Sequence, residues 1–552
     1  MLNSLLGVYD FKSLIKSGYY VDKTEFIEKI YKLGDGGACL LFTRPRRFGK
    51  SLMISCLDSF FSLKYDDADR YFKNLYIHSS PVYEERNKYP VIVLSFKDAN
   101  ALNAKDSYNK IFKTIDDLYD SFDEINDVSC LTESEKEIYT RIRNREGKVD
   151  DYLYSLYILT KLVHDHYKIK PFLFIDEYDA QINNAYQKNF LDEINNFFKN
   201  LYSNALKGNE HIRLCLLTGV LISSKESLSS GLNNIPFDNG VYSIFPKEYF
   251  GFTRDEVLKI KKDYGSQLNI DDISSWYGGY YFNNVETYNP WSVLSLFSSG
   301  EKFLYYWGGT GATKLLSDML LSSELDFKSE LQRLLNGETL SISPDYSFGY
   351  EAIEKSKQGL LTYLTSTGYL SATLDENNSM IDVKIPNLEV LNLIRKEILD
   401  KFNVSNSYLS NLTNFKKTFL EKDTKVIENF LSNLLSSLSY YSFKNEKVYQ
   451  TLLNVLTSIV LSEYYVKEES NSGYGRSDLL MIPKNKKETG FIIEIKLIKA
   501  RTTAERLKNA AEVGLNQIEK NEYYRVLEEQ GITNYVCYGI AFQGKKVSVV
   551  YK

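Results

Sequence analysis

The sequence predicts an α/β protein of more than one domain: an N-terminal parallel sheet with a phosphate-binding loop, a helical lid and connector, and a smaller C-terminal α/β domain. Three stretches lead there. Ala38-Cys-Leu-Leu-Phe-Thr-Arg-Pro-Arg-Arg-Phe-Gly-Lys-Ser-Leu52 runs from an apolar strand through a basic turn directly into an amphipathic helix. Pro171-Phe-Leu-Phe-Ile-Asp-Glu-Tyr-Asp179 is a buried run that ends in carboxylates. Phe491-Ile-Ile-Glu-Ile-Lys-Leu497 puts a charged pair on an otherwise apolar strand.

With 552 residues the chain exceeds the length at which one hydrophobic core stops growing, so two or three domains are expected. It is 43% hydrophobic and 25% charged, the balance of a globular protein. No apolar run is long enough to span a bilayer, and Asp10 and Lys12 stand where a signal peptide needs its apolar centre; a soluble, cytoplasmic protein without a membrane partner is expected. The five cysteines are odd in number and scattered in apolar runs, which suits reduced core residues. His164 and His166 read as solvated helix residues rather than metal ligands. A net charge of −5 excludes a protein that is basic all over. Arg476 to Lys552 nevertheless holds fourteen Lys/Arg against nine Asp/Glu, so a phosphate-binding surface belongs at this end.

Taken in order, residues 7 to 33 form an amphipathic prelude that packs on the sheet, and the first strand then enters the loop. After Lys50-Ser51, the residues Leu52, Met53, Cys56, Leu57, Phe60 and Phe61 recur at helical spacing, so the lysine and serine lie on a first turn, where free N–H groups attract phosphate. Gly49 lets the backbone approach an anion, Lys50 neutralises β/γ-phosphates, and Ser51 contributes to a Mg²⁺ shell. Arg44 stands where such loops normally open with glycine. A strand, Val91 to Phe96, and a long helical region from Asn103 to Tyr167 follow, the alternation of a parallel sheet. At the end of the third strand Asp176 is placed to hold Mg²⁺ through water, Glu177 to act as base, and Asp179 as a reserve acid. A fourth strand ends in Thr218, suited to sense a γ-phosphate. Thr253 and Glu256 form a capping box, and beyond them the chain turns helical, with an aromatic corner around Trp276 to Ser292.

Tyr20-Val-Asp-Lys-Thr24, Thr43-Arg-Pro-Arg-Arg-Phe-Gly-Lys-Ser51, Phe174-Ile-Asp-Glu-Tyr-Asp179, Thr218-Gly-Val220 and Ser230-Gly-Leu-Asn-Asn234 form a set. It continues through Trp276-Tyr-Gly-Gly-Tyr280, Tyr288-Asn-Pro-Trp-Ser292, Thr367-Gly-Tyr-Leu370 and Ile385-Pro-Asn387. Together these resemble a bacterial family that joins an AAA-like ATPase to a C-terminal PD-(D/E)XK nuclease, and the likeness runs nearly the length of the chain. It implies ATP and Mg²⁺ as cofactors, DNA as partner with RNA as the alternative, and a homo-oligomer. An arginine-rich loop is the family's pattern, so Arg44, Arg46 and Arg47 join Gly49, Lys50, Ser51, Asp176 and Thr218 as nucleotide-binding residues. The implied domains are an ATPase core at 1–250, a helical lid at 251–330, a mostly helical connector at 331–440, and a nuclease domain of restriction-endonuclease-like fold at 441–552.

The C-terminal constellation can also be read from its residues. Gly475-Arg-Ser-Asp-Leu-Leu-Met-Ile482 and the strand of Glu494 make a hairpin, and Glu494 and Lys496, two apart, share a face. Such a pair on an apolar strand is costly unless mutual pairing or a metal satisfies it. Asp478 offers the second carboxylate for Mg²⁺, and Lys496 is placed to orient the attacking water or offset developing charge. A buried Glu–Lys pair, or an edge strand reaching water, is the alternative without chemistry. By resemblance, Glu446 is the helical first acid, with Glu463 and Glu468 as competitors, and Gln517, on the helix that follows the site, joins the catalytic residues. Where the family carries a histidine, this chain has Gln450. Arg501, Arg506 and Lys508 are candidates to meet a phosphate backbone.

Overall fold

The computed structural model describes residues 7–34, 36–98, 100–221, 235–245, 248–308, 327–344, 350, 353, 356–375, 380–401, 417–437, 449–450, 453, 456–457, 464–472, 475–499 and 502–552. The chain divides into two compact units, Met1–Ala312 with Ser341–Val390, and Thr313–Leu340 with Leu391–Lys552. The stretch expected as a lid therefore belongs largely with the loop-bearing sheet, and the expected connector is shared between the units.

In the first unit, β1 (Ala38–Thr43), β2 (Val91–Ser95), β3 (Phe172–Asp176), β4 (Leu214–Gly219) and β5 (Phe237–Asp238) form a sheet in the order β2-β3-β4-β1-β5. Every pairing is parallel. Because helices cover both faces, β3 and β4 are buried along their whole length and read as continuous apolar runs. The helix Lys50–Phe61 lays Met53, Ile54, Leu57, Phe60 and Phe61 on Leu40, Phe42, Phe172, Phe174 and Leu216. The prelude helices Phe11–Ser17 and Glu25–Lys32 add Phe11, Phe26, Ile27 and Ile30 to the same core. The helical region before β3 comprises Ala104–Asp120, Glu133–Arg143, Val149–Tyr152 and Ser155–Tyr167. His164 in the last of these is not merely solvated: its Nδ1 lies 3.1 Å from Nδ1 of His211.

The strands β6 (Phe252–Thr253), β7 (Tyr280–Phe282) and β8 (Val285–Tyr288) form a small sheet in the order β6-β8-β7. Thr253 and Glu256 make the expected capping box at the start of the helix Arg254–Asp263. A further three-stranded sheet holds β9 (Leu340–Ile342), β10 (Ser371–Leu374) and β11 (Ile381–Lys384) in the order β10-β11-β9.

The second unit is built on β12 (Tyr464–Ser472), β13 (Gly475–Pro483), β14 (Gly490–Leu497), β15 (Tyr535–Gln543) and β16 (Lys546–Tyr551), which lie in sequence order. Neighbours are antiparallel except β14 and β15. A parallel pair needs a crossover, supplied here by the helix Ala504–Lys520, which covers one face. On the other face the helix Thr424–Ser437 sets Ile427, Leu431 and Leu434 into a core with Leu479, Met481, Ile493, Ile495 and Ile540. Alternate residues of β13 and β14 therefore face different helices, and both strands are mostly apolar, broken by Arg476, Ser477, Asp478, Glu494 and Lys496. All five cysteines are free. Among the described residues no helix is long and apolar enough to cross a membrane.

Candidate functional site

At the carboxyl edge of the parallel sheet, β1 hands the chain to the basic loop, which turns into the helix Lys50–Phe61 at Gly49, its N-cap, with φ 92°. Arg47 is also left-handed, at φ 70°. Such turns gather backbone N–H groups into an anion-binding concavity, and a non-glycine residue held there stores strain of order 1 kcal/mol or more.

The three loop arginines take different places. Arg44 Nε donates to Glu248 Oε1 at 3.3 Å, and Nη1 donates to the carbonyls of Thr43 and Asp238 at 2.9 and 3.0 Å. Its Nη2 donates to Asp238 Oδ1 at 2.7 Å and Glu248 Oε2 at 2.8 Å. A guanidinium has five N–H donors, and here all five are engaged inside the protein. Arg44, expected among the nucleotide ligands, is instead a buried peg joining the loop to β5 and to Glu248. Burial opposes its charge but Glu248 and Asp238 outweigh it, so its pKa is raised. Arg47 lays its guanidinium 4.3 Å from the centre of the Trp291 ring. Arg46 is exposed, and its charge acts on Lys50 and Glu177.

Lys50 donates to the loop's own carbonyls, Arg44 at 2.7 Å and Pro45 at 2.9 Å. Burial pulls its ammonium down to about 8, against the attraction of Asp176, Glu177 and Asp179. Ser51 follows on the first turn, partly buried. Across the sheet, the Thr218 hydroxyl donates to Asp176 Oδ1 at 2.6 Å, so these two expected site residues do meet. Glu177 has φ 52°, and burial and Asp176 push its carboxyl above the ordinary value while Lys50 pulls it back. Asp179, read as a reserve acid, is committed elsewhere: it accepts from the backbone N–H groups of Val220 at 3.1 Å and Leu221 at 2.7 Å. It fastens the turn after β4. Ser95, opposite Asp176 in the register of β2 and β3, has a buried Oγ with no hydrogen-bond partner among the described residues.

The aromatic and glycine motifs meet behind this loop. The Tyr280 hydroxyl donates to the Gly368 carbonyl at 3.1 Å, and a Cβ on Gly368 would lie 2.7 Å from Pro45 Cβ. Asn387 Nδ2 donates to the Gly278 carbonyl at 2.7 Å, and a Cβ on Gly279 would collide with the Pro386 carbonyl. They build the platform under the loop rather than a separate site. The Ser230 to Asn234 motif lies outside the described residues.

In the second unit, the register of β13 and β14 pairs Leu479 with Ile493 and, continued by one residue, sets Asp478 opposite Glu494. Asp478 Oδ2 accepts from the Ile495 N–H at 2.6 Å, and Lys496 Nζ donates to Glu494 Oε1 at 2.9 Å. The expected trio is thus brought together. Glu494 is 2% exposed, and among the described residues its buried Oε2 has no hydrogen-bond partner. Burial, then the neighbouring Asp478, push its carboxyl up to about 7 against the pull of Lys496. The helix Ala504–Lys520 comes close because it passes Gly514 over Glu494, where a Cβ would lie 3.5 Å from Glu494 Cγ.

Gln517, on the same helix, donates to the Tyr523 hydroxyl at 3.1 Å, a contact that directs it to the turn after the helix. Gln450, in sequence only a departure from the family's histidine, reaches the site: its Nε2 donates to Asp478 Oδ1. A helical polar residue 28 positions from its partner gives no local signal. Glu446, Glu463 and Arg501 lie outside the described residues, and Glu468 is on β12. Among the described residues no group of three or more His, Cys, Asp or Glu side chains is arranged to hold a metal. The pair Asp478 and Glu494 suits a divalent cation of the kind held by one or two carboxylates and water. An orphaned carboxylate oxygen in a buried site is a group that such an ion satisfies.

Residues 5–229 match the family described as "Predicted AAA-ATPase". Residues 444–552 match the "PD-(D/E)XK nuclease superfamily". An uncharacterized protein in the vnfD 5' region of Azotobacter chroococcum mcd 1 is 30% identical over 323 residues, which cover 58% of this chain and 56% of that protein. This chain therefore spans little more than half the length of that relative. A chain in the structure of Drosophila ORC bound to AT-rich DNA and Cdc6 aligns over 70% of this chain and 93% of its own, with a TM-score of 0.21 and 11% identity, too slight a likeness to bear on fold or function. The chain accordingly carries one stretch similar to the predicted AAA-ATPase family, at 5–229, and one similar to the PD-(D/E)XK nuclease superfamily, at 444–552.

Proposed function

We propose that this protein is a Mg²⁺-dependent deoxyribonuclease whose access to substrate is gated by ATP binding and hydrolysis in the same chain. The observation that carries the reading is the trio Asp478, Glu494 and Lys496, with one buried Glu494 oxygen that has no partner among the described residues beside a second carboxylate. Mg²⁺ bound there would supply Lewis-acid stabilisation of the developing phosphorane charge. Asp478, steadied by the Ile495 N–H and Gln450, and Glu494, steadied by Lys496, would hold the ion. Lys496, at 24% side-chain exposure, is open enough to reach a water or a scissile phosphate. Gln517 is kept as a flanking polar group, and Glu446 as the candidate first acid. In the ATPase domain, Gly49, Lys50 and the exposed Arg46 would take the phosphates, with Arg47 beside them, and Ser51 and Asp176 the magnesium. Thr218 would orient Asp176, and Glu177, its carboxyl raised by burial and by Asp176, would take the proton of the attacking water. We further propose that the protein works in the cytoplasm as a homo-oligomer, with 251–330 as lid, in defence against foreign DNA or maintenance of mobile elements.

The test is cleavage of plasmid and single-stranded DNA by the purified chain with Mg²⁺, alongside RNA. Cleavage should vanish in Asp478→Ala and Lys496→Ala, and Glu177→Gln should stop phosphate release while ATP still binds. Unchanged cleavage in both nuclease variants defeats the assignment.

A second reading, a nucleotide-binding switch that assembles oligomers or recruits a partner with little turnover, is favoured by one observation. Arg44 has no donor left for phosphate, and Lys50 is engaged by the loop's own carbonyls. A size change on adding ATP, with no phosphate release, would support it.

A further inference from the structure

The tip of the phosphate loop is held from outside by a chain of hydrogen bonds that the chemistry above does not use. Trp307 Nε1 donates to the Arg46 carbonyl at 3.2 Å. The indole is 2% exposed and packs edge-on to Tyr369, with ring centres 5.1 Å apart. Its own backbone is clamped in turn: the N–H groups of Tyr306 and Trp307 both donate to Glu389 Oε1, at 2.6 and 2.8 Å. Glu389 Oε2 accepts from the Ser292 hydroxyl at 2.8 Å. A carboxylate this deeply buried costs several kcal/mol unless it is well paired, and three donors from two separate segments supply that pairing. The arrangement runs from a buried acid, through one loop, to one carbonyl of the phosphate loop.

Two features give that carbonyl weight. A peptide unit is planar with its C=O and N–H pointing in opposite directions, so fixing the Arg46 carbonyl on Trp307 also fixes the direction of the Arg47 N–H. Arg47 is the loop's non-glycine left-handed residue, beside left-handed Gly49, and its conformation helps decide which amides face an anion. At the other end, Glu389 is the second residue of the helix Leu388–Lys401. The first unit ends at Val390 and the second resumes at Leu391, so this one helix begins in the unit of the phosphate loop and continues in the unit of the nuclease sheet.

We infer that Glu389 is a positioning residue that couples the nucleotide state of the phosphate loop, through Trp307 and the Arg46 carbonyl, to the helix leading into the nuclease unit. This deepens the gating reading and rests on it. When phosphate enters, the Arg46–Arg47 peptide either keeps its bond to Trp307 or turns to the ligand, and the 306–307 loop, fastened to the start of the helix by Glu389, moves with it or stays. A purely structural clamp would stabilise the fold equally with and without nucleotide.

The experiment uses the full chain, a non-hydrolysable ATP analogue and two variants. Trp307→Phe keeps an aromatic ring against Tyr369 and removes the N–H to Arg46 together with the part of the indole that packs on Gly368; Glu389→Gln keeps the size of the acid and removes its charge. Analogue affinity should change by about three- to tenfold in Trp307→Phe, the worth of one hydrogen bond, at a melting temperature within a few degrees of wild type. The two effects should not add in the double variant, since both break one chain of hydrogen bonds. Amide exchange over residues 388–397 should respond to the analogue in the wild type and not in Trp307→Phe. Analogue binding that is equal in wild type and Trp307→Phe, or an exchange response that survives the substitution, overturns the coupling while leaving the ATPase assignment intact. No analogue binding by the wild type overturns both.

Discussion

Arg44 and Arg46 lie two residues apart in one loop, and their surroundings give them opposite kinds of work. Arg44 is fully paired with two buried carboxylates, so Arg44→Met would strand Asp238 and Glu248 in a dry site. Breaking one partner of such a network costs about 3–5 kcal/mol. Arg46→Ala should instead leave the melting temperature of the protein unchanged and weaken ATP binding; calorimetry with and without ATP separates the two. Glu494 carries the other prediction at this scale. Its folded carboxyl is raised from 4.5 to about 7, so the folded protein binds that proton more tightly than the unfolded chain does. The associated stability is fully present below about pH 4.5 and is lost as pH rises through about 7, a penalty of order 3 kcal/mol for the metal-free protein. Glu494→Gln should therefore melt higher than wild type at pH 8 without Mg²⁺, match it near pH 4.5, and cleave nothing. Added Mg²⁺ should narrow the gap from the wild-type side alone. Melting curves at the two pH values, with and without Mg²⁺, measure this.

Elements show how far local pattern reaches. The loop, Asp176 and the trio of Asp478, Glu494 and Lys496 can be read because their signals are short: a strand period of two, a helical period of 3.6, and charges at fixed offsets. Arg44, Asp179, Gln450 and Trp307 give no such signal, because their partners lie far along the chain, 194 and 204 residues away for Arg44 and 261 for Trp307. Spacing identifies a residue's type of chemistry, whereas which partner claims its donors is settled by packing. The stretch 341–390, which has two short motifs but no charged pattern of its own, likewise joins the first unit through packing such as that of Gly368 on Pro45. Close approach of elements also makes a test. The helix Ala504–Lys520 crosses β15 so near Gly539 that a Cβ there would collide with the Ala511 carbonyl and lie 2.8 Å from the Leu515 nitrogen. Gly539→Ala must lift the helix, and with it Gly514 from Glu494, at a cost of about 1–3 kcal/mol. Nuclease activity should fall by more than the loss of folded protein explains, and ATP binding should not change; activity normalised to the folded fraction by circular dichroism decides it.

Over the whole molecule, charge is divided unevenly. Arg476 to Lys552 carries fourteen basic against nine acidic residues in a chain of net charge −5, so the remainder is strongly acidic. A polyanion should be repelled by most of the chain and held by its last part, where Arg506 and Lys508 stand exposed on the first turns of the helix Ala504–Lys520. Lys508 lies 3.9 Å from Glu512, a surface pair weak enough to yield to a phosphate. DNA binding by the full chain should then fall steeply with salt, with a log–log slope of roughly −0.9 for each phosphate neutralised on duplex DNA. Reversing Arg501, Arg506 and Lys508 to glutamate should lower affinity at low salt and flatten the slope by about 0.9 for each phosphate that is no longer neutralised. ATP binding at Lys50 should be untouched, since the substitutions lie in the other unit. Fluorescence anisotropy on a labelled duplex across a salt series supplies both numbers. An unchanged slope in the triple reversal would mean that the DNA phosphates are met elsewhere on the chain, and the assignment of DNA to the nuclease unit would fall.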